Sequence, residues 1–325
     1  MKTSSKTSNL SKSYAIFVRS SYGDLLMADP LIKYIKSLHK DNQISLFVEE
    51  KNAQLVEFME YIDNFFIIPS KGNKYIFFIY YGLKYRKNKY DISIAAKTGV
   101  GSANGFFQFF LGAKKRISYV LRNKSWTDKL VNFPVEYCES IYEKQHYSLS
   151  VLQLLNKEFK EIPESFYPKL CLKVKKHDKK YKKLLISVSN NRETCLLNNE
   201  SIASIVNDLS KEFDLSIYVS AIQSDYHLAV DLQSMINCHS KIYITPLLKD
   251  YLYLLKSVDL CFFGEGGSMH MAAALEIPQV VLFGETSITT WSPLSKFAAV
   301  LGDKSNVNNI PNNVILYALK NKLQS

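Results

Sequence analysis

Residues 264–274 read GEGGSMHMAAA, directly after the apolar run VDLCFF at 258–263. Three of the chain's 12 glycines, Gly264, Gly266 and Gly267, sit there beside Glu265, Ser268 and His270. Glycines let an anion reach the backbone, and the start of a following helix turns unpaired N–H groups and the positive end of its dipole toward it. The turn is therefore a candidate phosphate cradle. By turn chemistry alone, a plain strand-to-helix turn whose glycines serve only geometry, with His270 as a packing residue, fits equally well. A second such turn, RSSYGDLL at 19–26, carries Ser21, Gly23 and Asp24. Asp is a favoured helix cap, and a carboxylate there can also take a proton from an attacking hydroxyl if it faces a cleft. A third, VSNNRETC at 188–195, offers Ser189 and Arg192. This arginine is either an ordinary surface residue or a guanidinium matched to phosphate oxygens.

Turns like these need strands that end beside one another. YAIFVRS, QISLFVEE, NFFIIP and YDISIAAK read as buried strands, separated by the amphipathic runs LLMADPLIKYIKSLHK and AQLVEFME and by a basic aromatic helix through Tyr85. A second series opens with LLISVSN and continues through LSIYVSA, KIYITP, VDLCFFGEGG and PQVVLFGET, with helical runs between them. Such alternation implies parallel sheets with helices on both faces, and two such halves place a cleft between the carboxyl ends of their sheets. The expected fold class is α/β, with Rossmann-like domains at 13–165 and 183–325. A Pro- and Lys-rich linker at 166–182 joins them, a loose polar tail occupies 1–12, and the last helix is a candidate to pack back on the first domain.

With 325 residues, 47% apolar and 22% charged, the chain can bury two cores. Its five cysteines show no CxxC or paired spacing, which speaks against a disulfide framework or a zinc site. The opening MKTSSKTSNLSKS lacks the apolar stretch of a secretory signal, and no apolar run approaches the roughly 18 residues of a membrane span. A cytoplasmic protein, soluble or peripheral, is expected. A net charge of +11 attracts polyanions. Nucleic acid is not the expected partner, because zinc-finger, basic-heptad and RNP-type motifs are missing. YIFFIYYGLKYRKNKY and NGFFQFFLGAKKR set aromatics next to Lys and Arg, as an anionic membrane interface would require. Taken singly, each also fits a buried aromatic core with solvated lysines. KTGVGSANG spaces Gly99, Gly101 and Gly105 wrongly for a dinucleotide fingerprint. The other histidines form no metal spacing, and no G-x-S-x-G surrounds a serine.

Residues 265–293 together resemble the carboxyl-terminal signature of the heptosyltransferase family, glycosyltransferase family 9. That signature runs approximately D-[TS]-G-x-x-H-x-A-A-A-x-x-x-P-x-V-x-L-F-G-x-T, then a downstream Pro. Gly267, His270, Ala272, Ala273, Pro278, Val280, Leu282, Phe283, Gly284, Thr286 and Pro293 match it. FVRSSYGDLLMADPLIKYIK is similar to the family's opening strand, S-S-x-G-D turn and helix, and YIDNFFIIP, YDISIAA, LGAKKRISY and KQHYSLSVLQLL follow in family order. The resemblance covers the chain from about Tyr14 onward.

It implies a GT-B fold, two Rossmann-like domains facing a central cleft. It also implies inverting, metal-independent transfer of heptose from ADP-heptose to the phosphate-bearing, lipid A-linked inner core of lipopolysaccharide, at the cytoplasmic face of the inner membrane. Asp24 falls on the family's proposed base. Ser189, Arg192, Glu265, Gly266, Gly267, Ser268 and His270 are the expected donor-binding residues; Ser21, Gly23, Lys97, Lys114 and Arg116 are expected on the acceptor side. No cofactor is implied, and the chain has no D-x-D pair of the kind that holds a divalent ion in metal-dependent transferases. Two departures stand out. The family's Asp-Thr is Glu265-Gly266 here, and Cys195 and Leu197 occupy positions where the family often has Lys or Arg and then Trp. Other readings of the same fold are a different nucleotide-sugar donor, a nucleotide-sugar epimerase, and a nucleotide-sugar binding protein without catalysis.

Overall fold

The computed structural model of the protein describes residues 10–18, 21–69, 71–97, 102–121, 126–142, 144–174, 181–244 and 246–324. Most of the expected tail, part of the expected linker, and Gly99 and Gly101 lie outside them. In the first half, strands and helices alternate as β1 (Ser13–Val18), α1 (Tyr22–Leu38), β2 (Gln43–Glu49), α2 (Glu50–Val56), β3 (Asn64–Ile68), α3 (Lys74–Tyr85), β4 (Ile92–Ala95), α4 (Ser102–Leu111), β5 (Lys115–Val120) and β6 (Phe133–Glu136). Helices α5 (Glu139–Tyr142) and α6 (Tyr147–Gln153) close it. The second half runs β7 (Lys182–Ser187), α7 (Asn199–Leu209), β8 (Leu215–Ala221), α8 (Tyr226–Met235), β9 (Ser240–Ile244), α9 (Leu248–Ser257), β10 (Leu260–Gly264), α10 (Gly267–Ala274), β11 (Gln279–Phe283), α11 (Ile288–Trp291), β12 (Ala298–Gly302) and α12 (Asn312–Gln324).

The strands form two six-stranded parallel sheets, ordered β3-β2-β1-β4-β5-β6 and β12-β11-β10-β7-β8-β9. Central strands such as β1 and β10 are apolar runs without alternation because helices cover both faces. Strand order reverses beside β1 and beside β7, so a crevice opens at the carboxyl ends there. Those ends carry the turns at 21–24, 189–192 and 264–268.

One apolar cluster runs through both halves, from Ile16, Leu46 and Met27 to Leu252, Met269 and Phe283. The other face of the first sheet is packed with rings. Phe17 stacks on Phe107 at 4.8 Å and meets Phe78 edge-on at 5.6 Å, so each aromatic window gives residues to the core. The segment after α6 is tied at several points. Buried Asp29 on α1 pairs with Lys33 at 3.3 Å and accepts from Lys169 N–H at 3.3 Å, while Lys33 Nζ donates to the Tyr167 carbonyl. Burial pushes the Asp29 carboxyl up to about 6 against the pull of Lys33. Leu170 N–H then bonds the Ala274 carbonyl at 2.9 Å. The last helix does not return to the first half. Ile315, Leu319 and Leu323, four apart and therefore one row of α12, pack with α7 in the second half's own cluster.

Two glycines let a turn cross the ends of the second sheet. A Cβ on Gly264 would stand 1.8 Å from the Cys195 carbonyl oxygen, and one on Gly284 would stand 2.2 Å from that of Thr194. Backbone cannot yield as a side-chain tip can. Gly264→Ala is expected to lower the unfolding free energy by about 3 kcal/mol, the upper end for an overpacked site. Urea denaturation reads this as a lower midpoint, and an unchanged midpoint would remove the close approach.

Candidate functional site

A cleft of about 790 Å³ lies between the halves, lined from the first by Ser21, Tyr22, Gly23 and Asp24 and from the second by the turns after β7, β8, β9 and β10. Its first wall is the start of α1. Ser21 is the cap, and Asp24 lies three residues into a reciprocal capping box. Asp24 Oδ2 accepts from Ser21 N–H at 3.0 Å and from Ser21 Oγ at 2.7 Å. Among the described residues, Oδ1 has no hydrogen-bond partner. The helix start thus fixes one carboxylate oxygen and leaves the other for the cleft.

The opposite wall is the start of α10. Its cap, Gly266, has an extended backbone and makes no side-chain cap bond, so the first N–H groups of α10 are left for a ligand or water. A Cβ on Gly266 would meet nothing closer than Asn190 Nδ2 at 3.9 Å, and one on Gly267 would meet Tyr22 Cβ at 4.0 Å. The two helix starts therefore face each other almost in contact. Gly23 lies on the edge of the His270 ring, where a Cβ would come 3.0 Å from Cδ2.

His270 is buried, and burial, reinforced by nearby His146 and opposed by Asp24, pushes its pKa down to about 3. It is a neutral imidazole. His146 caps α6: its Nδ1 accepts from Ser148 N–H at 3.2 Å, which leaves Nε2–H to donate to the Ser292 carbonyl at 2.9 Å. Tyr147 stacks on Trp291 beside it at 4.8 Å. These two contacts join the halves beside Trp291, which lines the cleft.

Arg192 is the only Lys or Arg among the described lining residues. Its Nη1 donates to Glu265 Oε2 at 2.5 Å, with the arginine side chain 46% exposed and the glutamate 5%. Burial raises the Glu265 pKa, while Arg192 and a hydrogen bond from Thr286 pull it down. Asn190 completes the knot, donating Nδ2 to the Glu265 carbonyl at 2.8 Å and accepting Arg192 N–H at 3.0 Å. Glu265 is thus committed to Arg192 and Thr286. Cys195 is buried near Thr286 and brings no charge. The Ser189 hydroxyl accepts Ile222 N–H at 3.0 Å and joins the turns after β7 and β8.

The acceptor-side expectation divides. Ser21 and Gly23 line the cleft, and Lys97 is exposed just past the carboxyl end of β4. Lys114 and Arg116 do not belong there. They flank the first residue of β5, which pairs with the first residue of β4, so they occupy the sheet edge away from the cleft. Lys114 pairs with Asp91 at 2.8 Å, and Arg116 is spent on the carbonyls of Leu130 and Ala113. Gly105 is a packing glycine of α4, facing the Thr127 carbonyl at 2.6 Å from a would-be Cβ.

The sequence reading did not single out Asn190, Trp291 or Tyr251. Tyr251 is half-buried at the cleft wall, with its hydroxyl buried beside those of Ser268 and Ser220 without a hydrogen bond of good geometry to either, and burial raises its pKa. Among the described residues no three His, Cys, Asp or Glu side chains gather as a metal-ligand set.

The sequence model of glycosyltransferase family 9 (heptosyltransferase) matches residues 82–320. A curated relative, lipopolysaccharide heptosyltransferase 1 of Campylobacter coli, is 26% identical over 291 residues, 84% of each chain. Among solved structures, a family 9 glycosyltransferase of Veillonella parvula superposes with a TM-score of 0.81 at 12% identity, covering 97% of this chain and 98% of its own. The ADP-heptose lipopolysaccharide heptosyltransferase II of E. coli follows with 0.77 at 15%, covering 96% and 98%.

The buried imidazole has a consequence for stability. The unfolded chain protonates His270 below about pH 6.5 and the folded chain only near 3. Stability is therefore lost as pH falls from about 6.5 toward 3, by at most ~1.4 kcal/mol per unit. Asp29, raised to about 6, acts in the opposite direction between about 3.8 and 6, so the wild-type slope is a sum. His270→Gln should flatten the decline in urea midpoint between pH 7 and 5 relative to wild type; parallel profiles would contradict the neutral, buried assignment.

Proposed function

Because the chain belongs to glycosyltransferase family 9, the heptosyltransferases, we propose that it transfers heptose from ADP-heptose, with inversion, onto the inner-core sugars of a lipid A-linked acceptor. One observation carries this reading: Asp24, with one carboxylate oxygen unpartnered among the described residues, lines the same cleft as the uncapped start of α10 and the Arg192 guanidinium. The donor named for the E. coli relative supports ADP-heptose, and the Campylobacter coli relative supports a lipopolysaccharide acceptor.

In this reading the diphosphate lies over Gly266 and Gly267, met by α10 N–H groups, the Ser268 hydroxyl and the Arg192 N–H groups not given to Glu265. The nucleoside lies against Leu247, Leu248 and Tyr251. Asp24 takes the proton of the acceptor hydroxyl while its oxygen attacks the anomeric carbon from the face opposite the diphosphate. The new C–O bond forms as the old one breaks, and ADP leaves with the bonding electrons. Its growing charge is met by donors already in place, which is where such donors help most. His270 stays neutral and offers a hydrogen bond without a charge that would compete with Asp24.

Replacing Asp24 by Asn keeps the capping geometry and removes the base. In a transfer assay with ADP-heptose and Kdo-lipid A, kcat should fall about 10²- to 10⁴-fold with donor affinity retained; full activity would end the assignment. Arg192→Gln should raise the donor KM by roughly 10- to 100-fold, the loss of a charge-assisted contact, with a smaller change in kcat. Because protein groups meet the phosphate charge, EDTA should leave the rate unchanged, and a rate lost to EDTA and restored by Mg²⁺ would contradict that part.

A further inference from the structure

The aromatic segments of the first half have a second face that the core does not use. On α3, Phe78 and Gly82 turn inward, and Gly82 lets α4 approach so closely that a Cβ would stand 2.6 Å from Phe110 Cβ. Ile76, Tyr80 and Leu83, at i, i+4 and i+7 on the same helix, form one outward stripe, and they are 61%, 58% and 50% exposed. A line of rings extends the stripe sideways: Tyr75 meets Phe106 at 5.4 Å, and Phe106 meets Trp126 at 5.8 Å, with Trp126 63% exposed. Neighbouring apolar side chains this open are unusual on a soluble surface and mark a docking site.

Charge identifies what docks there. Residues 71–127 contain 12 Lys and Arg and one acid, Asp91, which is already bound to Lys114. Lys114 and Arg116 are engaged at the start of β5, but Lys74 and Lys84 on α3 and Arg86 and Lys87 just after it stand in a stretch with no acid between Asp63 and Asp91. Two of these cations lie among the rings of α3: Lys84 Nζ is 5.4 to 5.9 Å from the centroids of Tyr80, Tyr81 and Tyr85, and Lys74 Nζ is 5.3 Å from that of Tyr75. Apolar side chains flanked by lysines, with an exposed Trp at the margin, match the boundary between acyl chains and anionic headgroups. A protein partner would be expected to pair some of these lysines with acids, and a nucleic acid has no use for Ile76 and Leu83.

We propose that the outward face of α3, with Tyr75 and Trp126, is a docking surface for an anionic lipid bilayer. α3 starts at the carboxyl edge of the first sheet, the edge on which Asp24 lies. Docking by this face holds the mouth of the cleft near the plane in which a lipid-linked acceptor is anchored. The acceptor's lipid anchor is part of the function proposed above, whereas the vesicle measurement depends on no activity and the two can fail separately.

The test is co-sedimentation of the full chain with phosphatidylethanolamine–phosphatidylglycerol vesicles and with phosphatidylcholine vesicles. The wild type should pellet with the first, release as salt is raised, and stay in solution with the second. The triple variant Ile76→Ser, Tyr80→Ser, Leu83→Ser should bind the anionic vesicles at least tenfold more weakly, as should Lys84→Glu with Lys87→Glu. All of these side chains are exposed, so unfolding curves and transfer to a delipidated, water-soluble acceptor should match wild type, while transfer to vesicle-embedded acceptor should fall. Wild type that ignores anionic vesicles, or a triple variant that binds them as well as wild type, overturns the proposal. So does displacement from vesicles by duplex DNA at equal phosphate with no effect of the triple variant, which would make the patch a nucleic-acid surface.

Discussion

The contact between α1 and α10, with Gly23 lying on the edge of the His270 ring and the methionines of both helices in a shared core, holds together everything described for the cleft. Each helix begins at the carboxyl end of a central strand, one in each sheet, and each start presents groups that a helix cannot satisfy internally. On α1 that need is met by a capping box that also sets the direction of Asp24. On α10 glycine occupies the cap position, and the need is left for a ligand. Packing the helices side by side near their starts brings the Asp24 carboxylate and the uncapped start of α10 to the lining of one cleft. His270 fits because it is neutral: a protonated ring in that apolar contact would cost folding energy and pull on Asp24.

Electrostatic economy is the second constraint. Arg192 is the one described cation lining the cleft, and the buried Glu265 carboxylate at 2.5 Å fixes one edge of its guanidinium. The pair explains together two departures from the family pattern. The longer acid reaches Arg192, and Arg192 supplies the charge that Cys195 does not. A buried carboxylate without this partner would carry a large desolvation cost, so the acid and the arginine depend on each other. Elsewhere the excess charge lies outside the cleft lining, in the segment 71–127 that contains α3 and the start of β5.

Much of this was legible in the sequence, for physical reasons. Strands buried on both faces read as apolar runs, and glycines at strand ends mark turns, so two parallel sheets and the turns at Asp24 and Gly266 could be read in advance. Lys114 and Arg116 were misplaced because charge near an aromatic window says nothing about which end of a strand it occupies. In a parallel sheet the strand start lies on the far edge from the cleft. The pairing of Glu265 with Arg192, 73 positions earlier, could not be read from spacing, because it depends on how the turns after β7 and β10 meet. Tyr251 gave no signal, since a tyrosine on an amphipathic helix reads as ordinary packing. For the aromatic segments, core and interface are competing readings in the sequence, and α3 has one buried face, through Phe78 and Gly82, and one exposed face, through Ile76, Tyr80 and Leu83.

The most direct test of the account is product analysis by mass spectrometry after incubating the purified protein with Kdo-lipid A and, in turn, ADP-heptose and a panel of other nucleotide sugars. The account predicts that acceptor mass rises by one heptose residue with ADP-heptose, in parallel with ADP release, and that the other donors give little. Rearrangement of ADP-heptose without acceptor, donor binding with no transfer, or preferential transfer of a different sugar would contradict it.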